Sequence, residues 1–261
     1  MMESRKLKPE EDLYLETGYR ILHSENAFLV IEKPAPLPVH PVGRFRKRNL
    51  LSFLKKDFGS EGASLRIVNR LDSETSGIVL VSRLPEMAGP LGLLFERRRI
   101  RKEYHAVVLG APAKDHGTID VPLGLRPGGV HNIRVPDPDG QEARTDYEVL
   151  SRAGDYSLLK LVPHTGRTHQ IRVHLAHLGH PVAGDKIYID PAVFERYIHE
   201  GWQEDMRSVV KAERLLLHAS GLEFIHPVTE EKLKFRSALP ECFSEFLVAG
   251  DRAEEKKERE R

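Results

Sequence analysis

The chain has 261 residues, 40% hydrophobic and 30% charged, which is room for one large domain or two small ones around a sizeable core. Forty basic against thirty-nine acidic residues leave a formal net charge of +1, which excludes a general nucleic-acid binder built on overall basicity; any RNA or DNA site must come from local clustering. The single cysteine, Cys242, excludes an intramolecular disulfide and every zinc site built on several cysteines, and suits a reducing compartment.

Residues 1–18 read as a polar extension without the apolar segment of a signal peptide, and no apolar run approaches the roughly 18 residues that span a bilayer, so a cytoplasmic protein is expected. Short apolar runs predict strands at 28–31, 78–81, 105–109, 147–150, 158–162, 222–225 and 232–235, with 65–68 resembling a further one. Asn49 is a good N-cap for a helix over NLLSFLKKDF, another helix starts near Thr168, a third covers about 192–200, and 84–97 is helical but interrupted by Pro90. HPVGRFRKR (40–48) and GLRPGGVHNIRVPDPDG (124–140) carry the Pro and Gly of surface loops, and the tail 249–261 mixes charges of both signs. Strands outnumber helices without regular interleaving, which predicts an α+β fold with a mostly antiparallel sheet, and the absence of a clear linker favours one domain over 19–248.

The motifs for phosphate-binding loops, dinucleotides, zinc proteases and serine hydrolases are absent. His174, His177 and His180 are spaced three apart but lack a carboxylate at helical spacing, so surface or RNA-facing histidines are expected rather than a metal site. In VNRLDSETSGIVLVSR (68–83), Arg70 and Asp72 stand at a strand-to-strand junction, where charge must be solvated, paired or used. In PHTGRTHQIRVHLAHLGHPVAGDKIY (163–188), Ile171, Leu175 and Leu178 form a buried helical stripe with Arg172 at its edge. A partly buried guanidinium needs a carboxylate, and Asp72 has the opposite need; the alternative is a turn aspartate capping its own backbone and a surface arginine. In RRRIRKEYHAVVLG (97–110), five basic residues in six positions lead to Tyr104, and Arg44, Arg46, Lys47 and Arg48 surround Phe45. Such basic-aromatic segments either bind phosphates and stack on bases or form solvated charged turns.

NRLDSETSG, RKEYHAVVLG and HTGRTHQIRVHLAHLGHPVAGDKIY, preceded by EKPAPLPVHP and followed by LLLHASGLEFIHP, resemble the RluA-type pseudouridine synthases over roughly residues 20–245. The resemblance implies an α+β catalytic domain around a long, largely antiparallel mixed sheet with flanking helices. It implies an isomerase that detaches uracil from C1′ of the ribose in ribosomal or transfer RNA and rejoins it through C5. By motif match Asp72 is the catalytic aspartate, Tyr104 packs against the target base, Arg172 salt-bridges the aspartate, and Arg70 enters the RNA stack as the uridine leaves. Thr75, Arg167, His169 and Gln170 are expected on the RNA, along with Arg44, Arg98, Arg101 and Lys102 of the basic segments. No metal, cofactor, membrane or obligate protein partner is expected. The competing readings are an inactive RNA-binding module of the same fold and a metal-dependent hydrolase using the histidines.

Two positions depart from the family pattern. Asn69 stands where the family usually has His, which predicts altered contacts to the flipped base or flanking RNA, and Pro36 stands where Gly is common, which affects the shape of that loop. About twenty residues precede the matching region, too few for the S4-type RNA-binding module of many relatives, so RNA recognition is expected from the catalytic domain alone.

Overall fold

The computed structural model describes residues 18–43, 45–128 and 133–246. In chain order, strands β1 (Arg20–Ser24) and β2 (Phe28–Lys33) precede helix α1 (Leu50–Asp57), a 3-10 turn at Gly59–Ala63, and strands β3 (Arg66–Ile67) and β4 (Ser76–Ser82). Helix α2 (Pro85–Glu96) leads to β5 (Arg101–Leu109), β6 (His116–Asp120), β7 (Leu123–Leu125), β8 (Arg134–Pro136), β9 (Arg144–Ala153) and β10 (Tyr156–Pro163). Helices α3 (Gln170–His177), α4 (Pro191–Glu200) and α5 (Met206–Val210) follow, then β11 (Leu217–Ile225) and β12 (Lys232–Arg236). The fold is α+β; β1–β2, β2–β4, β3–β4, β11–β12, β5–β10, β10–β9, β9–β6 and β7–β8 pair antiparallel, and β4 and β11 pair parallel. The chain divides into two compact units: among the described residues, an N-terminal unit of 18–102 and 218–238, and a central unit of 103–217 and 239–246.

In the N-terminal unit β4 lies between β2 on one side and β3 and β11 on the other. All seven β4 residues are buried, which explains its continuous apolar run: both faces are covered. Phe28, Val30, Ile78 and Leu80 pack on one face with Met87 and Leu91 of α2, while Leu29, Ile31, Val79 and Val81 pack on the other with Leu50 and Leu54 of α1. Asn49 caps α1 by accepting from the Ser52 N–H at 3.0 Å. Pro90 does not interrupt α2, contrary to expectation. It costs one hydrogen bond near the helix start, and burial of Met87 and Leu91 on either side of it holds the turn together.

In the central unit the strand order is β5–β10–β9–β6, and Ile171 and Leu175 of α3 pack against Ala106, Leu159 and Leu161. Leu178 lies at the edge of that core, completing the expected stripe. The 124–140 segment is not simply a loop: β7 and β8 form a hairpin with Leu123 opposite Pro136 and Leu125 opposite Arg134. Its arms are short and interrupted by Pro and Gly, so no period-two pattern marks them.

Candidate active site

Asp72 lies in the connection from β3 to β4, as the sequence predicts. Val68 N–H closes on Leu80 O at 2.8 Å, and Thr75 N–H donates to Asp72 O at 3.1 Å, making Asp72 the first residue of a β-turn. Asn69 places its carboxamide against β4 as a peptide group would: Oδ1 accepts from Leu80 N–H at 2.7 Å and Nδ2 donates to Ile78 O at 3.4 Å. The departure from the family's usual His is therefore absorbed by the strand edge that carries the loop. Ser73 O is held from two sides, by Leu37 N–H at 2.8 Å and by Lys33 Nζ at 3.0 Å. The fully buried Lys33 ammonium also donates to Pro34 O and Leu37 O, so its three protons fasten the 34–37 loop, which includes a cis Ala35–Pro36 peptide, to the Asp72 turn. Sequence reasoning missed Lys33; its one mark is a lysine that follows Glu32 at the end of an apolar run.

The Thr-Ser-Gly that follows is structural. Thr75, expected on the RNA, is 2% exposed and closes the turn. Gly77 has φ +112°, and a Cβ there would overlap the Ala219 backbone where β4 and β11 run parallel. Ser76 Oγ meets His218 Nδ1 at 2.8 Å, His218 Nε2 meets Ser237 Oγ at 2.9 Å, and Ser237 donates to Glu32 at 2.5 Å. Because Ser237 gives its proton to Glu32, its oxygen accepts from His218 Nε2–H. Burial pushes the Glu32 carboxyl up, but hydrogen bonds from Arg20 and Ser237 outweigh it and hold Glu32 below its ordinary range.

Arg70 is exposed and Asp72 half-buried. Burial, and then the charge of Arg70, lower the His40 pKa. Arg97, Arg98, Arg99 and Arg101 are exposed, and Arg98 holds φ +56° at the end of α2. There Arg98 N–H donates to Phe95 O and Arg99 N–H to Leu94 O, the Schellman arrangement that favours glycine at the Arg98 position. Burial, and then the charge of Arg98, bring Lys102 down to about 8. Arg44 lies outside the described residues.

In the central unit Arg172 is buried on α3, and Asp185 takes its guanidinium in two parallel bonds, Nε to Oδ2 at 2.7 Å and Nη2 to Oδ1 at 2.8 Å. Burial pushes the Asp185 carboxyl up, but Arg172 and the N–H groups of Tyr188 and Ile187 outweigh it and keep the pKa low. Burial alone therefore does not select Asp72 as the carboxylate Arg172 needs: Asp185, thirteen residues along, already supplies one. Tyr188 lies beneath the guanidinium, with Arg172 Cζ 5.2 Å from the ring centroid. Its hydroxyl meets His169 Nδ1 at 2.9 Å. His169 is half-buried with φ +56° at the start of α3.

Gln170, expected on the RNA, turns its carboxamide into the central unit in this structure. It is 4% exposed; its Oε1 accepts from Thr165 Oγ1 and Arg167 N–H, and its Nε2 donates to Arg144 O and Thr145 Oγ1. Both donors and both lone pairs are used within the unit. Arg167 is half-buried, with Nε on Glu142 O at 3.0 Å. Tyr104 is half-buried on β5 opposite Leu161, at the edge of the central core. The histidine series serves separate ends. His174 is buried rather than on the surface and donates from Nε2 to Val121 O; burial lowers its pKa. His177 is exposed, and His180 donates from Nδ1 to Leu109 O. Among the described residues no group of three or more His, Cys, Asp or Glu could hold a metal ion, and no helix is long and apolar enough to cross a membrane.

The sequence profile of the family described as RNA pseudouridylate synthase matches residues 27–177. An uncharacterized RNA pseudouridine synthase from Chloroflexus aurantiacus is 39% identical over 212 residues, covering 80% of this chain and 62% of that protein. Two proteins named ribosomal large subunit pseudouridine synthase D are also similar. The one from Nitrosomonas europaea is 35% identical, covering 88% of this chain and 64% of its own, and the one from Vibrio cholerae is 33% identical, covering 88% and 70%. The chain thus spans less than two thirds of the length of the first two relatives. Among solved structures, Human RNA Pseudouridylate Synthase Domain Containing 1 is similar with a TM-score of 0.68 and 27% identity, covering 86% of each chain.

Proposed function

The chain belongs to the RNA pseudouridylate synthase family, and we propose that it isomerises uridine to pseudouridine in RNA. The N1–C1′ bond breaks, the base turns, and a C5–C1′ bond forms; the C5 hydrogen leaves as a proton and N1 gains one, so atoms balance with no redox step. Asp72 is the nucleophile toward ribose or uracil, or the base toward the sugar, with Arg70 entering the stack in place of the extruded base. Flipping costs a few kcal/mol, repaid by stacking and hydrogen bonds in the site. Tyr104 and Arg172 are assigned to the target base and to the ionised aspartate. Arg98, Arg101 and Lys102 supply phosphate contacts.

The observation that carries this reading is the anchoring of the Asp72 turn. Lys33, Leu37 and Asn69 fix its backbone while the carboxylate stays half-buried, an arrangement that fits a reacting group better than a capping one. Because two relatives bear the name ribosomal large subunit pseudouridine synthase D, large-subunit ribosomal RNA is the first substrate to try and transfer RNA the second; the setting is the cytoplasm.

The test is tritium release from RNA labelled at uridine C5, with wild type and Asp72→Asn in parallel. Release by the wild type and none by Asp72→Asn, with RNA affinity held within a few fold, is the expected result. Tight binding of both proteins without release in either, across naked RNA and precursor particles, would instead favour the inactive binding module.

A further inference from the structure

Tyr188 joins three elements of the central unit that sequence reasoning left separate. Its N–H is held at 3.0 Å by Asp185 Oδ1, the same carboxylate that grips Arg172. Its ring underlies the Arg172 guanidinium and meets His169 edge-on, with centroids 5.7 Å apart at 87°. Its phenol oxygen accepts the Arg134 N–H of β8 at 3.2 Å and also meets His169 Nδ1 at 2.9 Å, in a hydrogen bond whose direction follows the imidazole tautomer. At its base the hairpin is closed by Asp137 N–H on Pro122 O, and within it Arg126 N–H donates to Ile133 O. The Arg134 N–H is therefore on the outer edge of β8, and it finds a side-chain oxygen there instead of another strand. Beyond this bond the arm presents Leu125, 54% exposed, and the exposed Arg126.

Resting on the isomerase reading above, we propose that Tyr188 is a positioning residue that couples the β7–β8 arm to Arg172. The ring sets the plane in which the Asp185-clamped guanidinium lies, and the hydroxyl ties that ring to the arm and to His169, which immediately precedes α3. Displacement of the arm by RNA is thereby felt at Arg172 through one phenol. Tyr188 touches neither the reacting atoms nor, by this argument, the RNA; it acts through Arg172.

The test uses Tyr188→Phe, which keeps the ring and removes the hydroxyl, and Arg134→Pro, which removes the N–H that the hydroxyl accepts, with Arg134→Ala as the control that retains it. Tyr188→Phe is expected to lower kcat for label release by about tenfold to a hundredfold, in line with a small misplacement of a reacting group, with KM within about threefold. Arg134→Pro lowers kcat in the wild-type background beyond Arg134→Ala, and loses that extra effect in the Tyr188→Phe background, the non-additivity that marks a shared interaction. In the RNA-free protein, the Arg172 Nε–H resonance shifts in Tyr188→Phe and in Arg134→Pro but not in Arg134→Ala. An unchanged Arg172 resonance, or strictly additive losses in kcat, overturns the coupling. Should the wild type release no label from any RNA, the isomerase reading fails, and the resonance alone then decides whether Tyr188 links the arm to Arg172.

Discussion

Asp185→Asn is the most demanding perturbation of the Arg172 site. The two side chains are 0% and 7% exposed and meet at 2.7 and 2.8 Å. The asparagine retains an oxygen to accept the Ile187 and Tyr188 N–H groups, but with that oxygen in place its NH2 faces the Arg172 Nε–H, donor against donor. Removing one member of a buried pair costs about 3–5 kcal/mol, because the remaining charge stays desolvated. The pH dependence has a definite sign. The folded-state pKa of Asp185 is depressed, so its contribution is fully present above the unfolded value of about 3.9 and is lost as pH falls through the folded pKa. Urea unfolding by circular dichroism, with the m-value checked for constancy, should show a wild-type advantage of that size at pH 7, unchanged down to about pH 5 and narrowing below about pH 4. A loss under about 1 kcal/mol at pH 7, or a gap that widens in acid, would refute the argument that this pair is a desolvated clamp.

Other positions yield sharper contrasts. Arg98→Gly relieves a left-handed backbone at the end of α2 and should stabilise the protein by up to about 1 kcal/mol while weakening RNA binding and lowering its salt slope by about one; unchanged affinity would take Arg98 off the RNA path. Gly77→Ala combines φ +112° with overlap on the Ala219 backbone, so a loss of about 3 kcal/mol or more in thermal or urea unfolding is expected, and a neutral result would mean β4 and β11 separate easily. With its pKa brought to about 8, Lys102 is half-charged in the free protein at that pH. Calorimetry in two buffers of different ionisation enthalpy should detect proton uptake on RNA binding that Lys102→Met removes, and equal uptake by the variant would assign the proton elsewhere.

The sequence was most legible where a local rule has a single physical cause. Runs such as 28–31 and 78–81 are apolar throughout because both faces of those strands are covered, and Asn49 caps its helix through its own side chain. The Asp72 junction was legible for the same reason: charge between two strands cannot be idle. The β7–β8 hairpin was not, since Pro and Gly in its arms erase the alternation that would mark it. Lys33, His218, Asp185 and Tyr188 were missed because each answers a polar need set by tertiary contact. Lys33 serves a carbonyl forty residues away and His218 a serine 142 residues away, and no period connects them. The inward turn of Gln170 was illegible for the converse reason: within a recognisable motif, nothing local tells an amide turned inward from one turned to a ligand.

That distinction divides the motif residues by what their polar atoms are doing. Ser76, Gln170 and Asp185 are buried and bonded inside their own units, and Gly77 is fixed by backbone geometry; a change at any of them displaces structure first and chemistry second. Arg70, Asp72, Tyr104 and Arg101 keep side chains exposed or half-buried on elements that are themselves firmly bonded. A reacting group needs that combination, because a carboxylate on a loose turn loses orientation and one sealed in the core meets no substrate. Lys33 shows how the first class serves the second: donating to backbone carbonyls, including Ser73 O next to the aspartate, it fixes the main chain of the turn. The same logic places Asp185 on the N–H edge of Arg172, where a buried carboxylate gives the guanidinium one orientation before any RNA arrives.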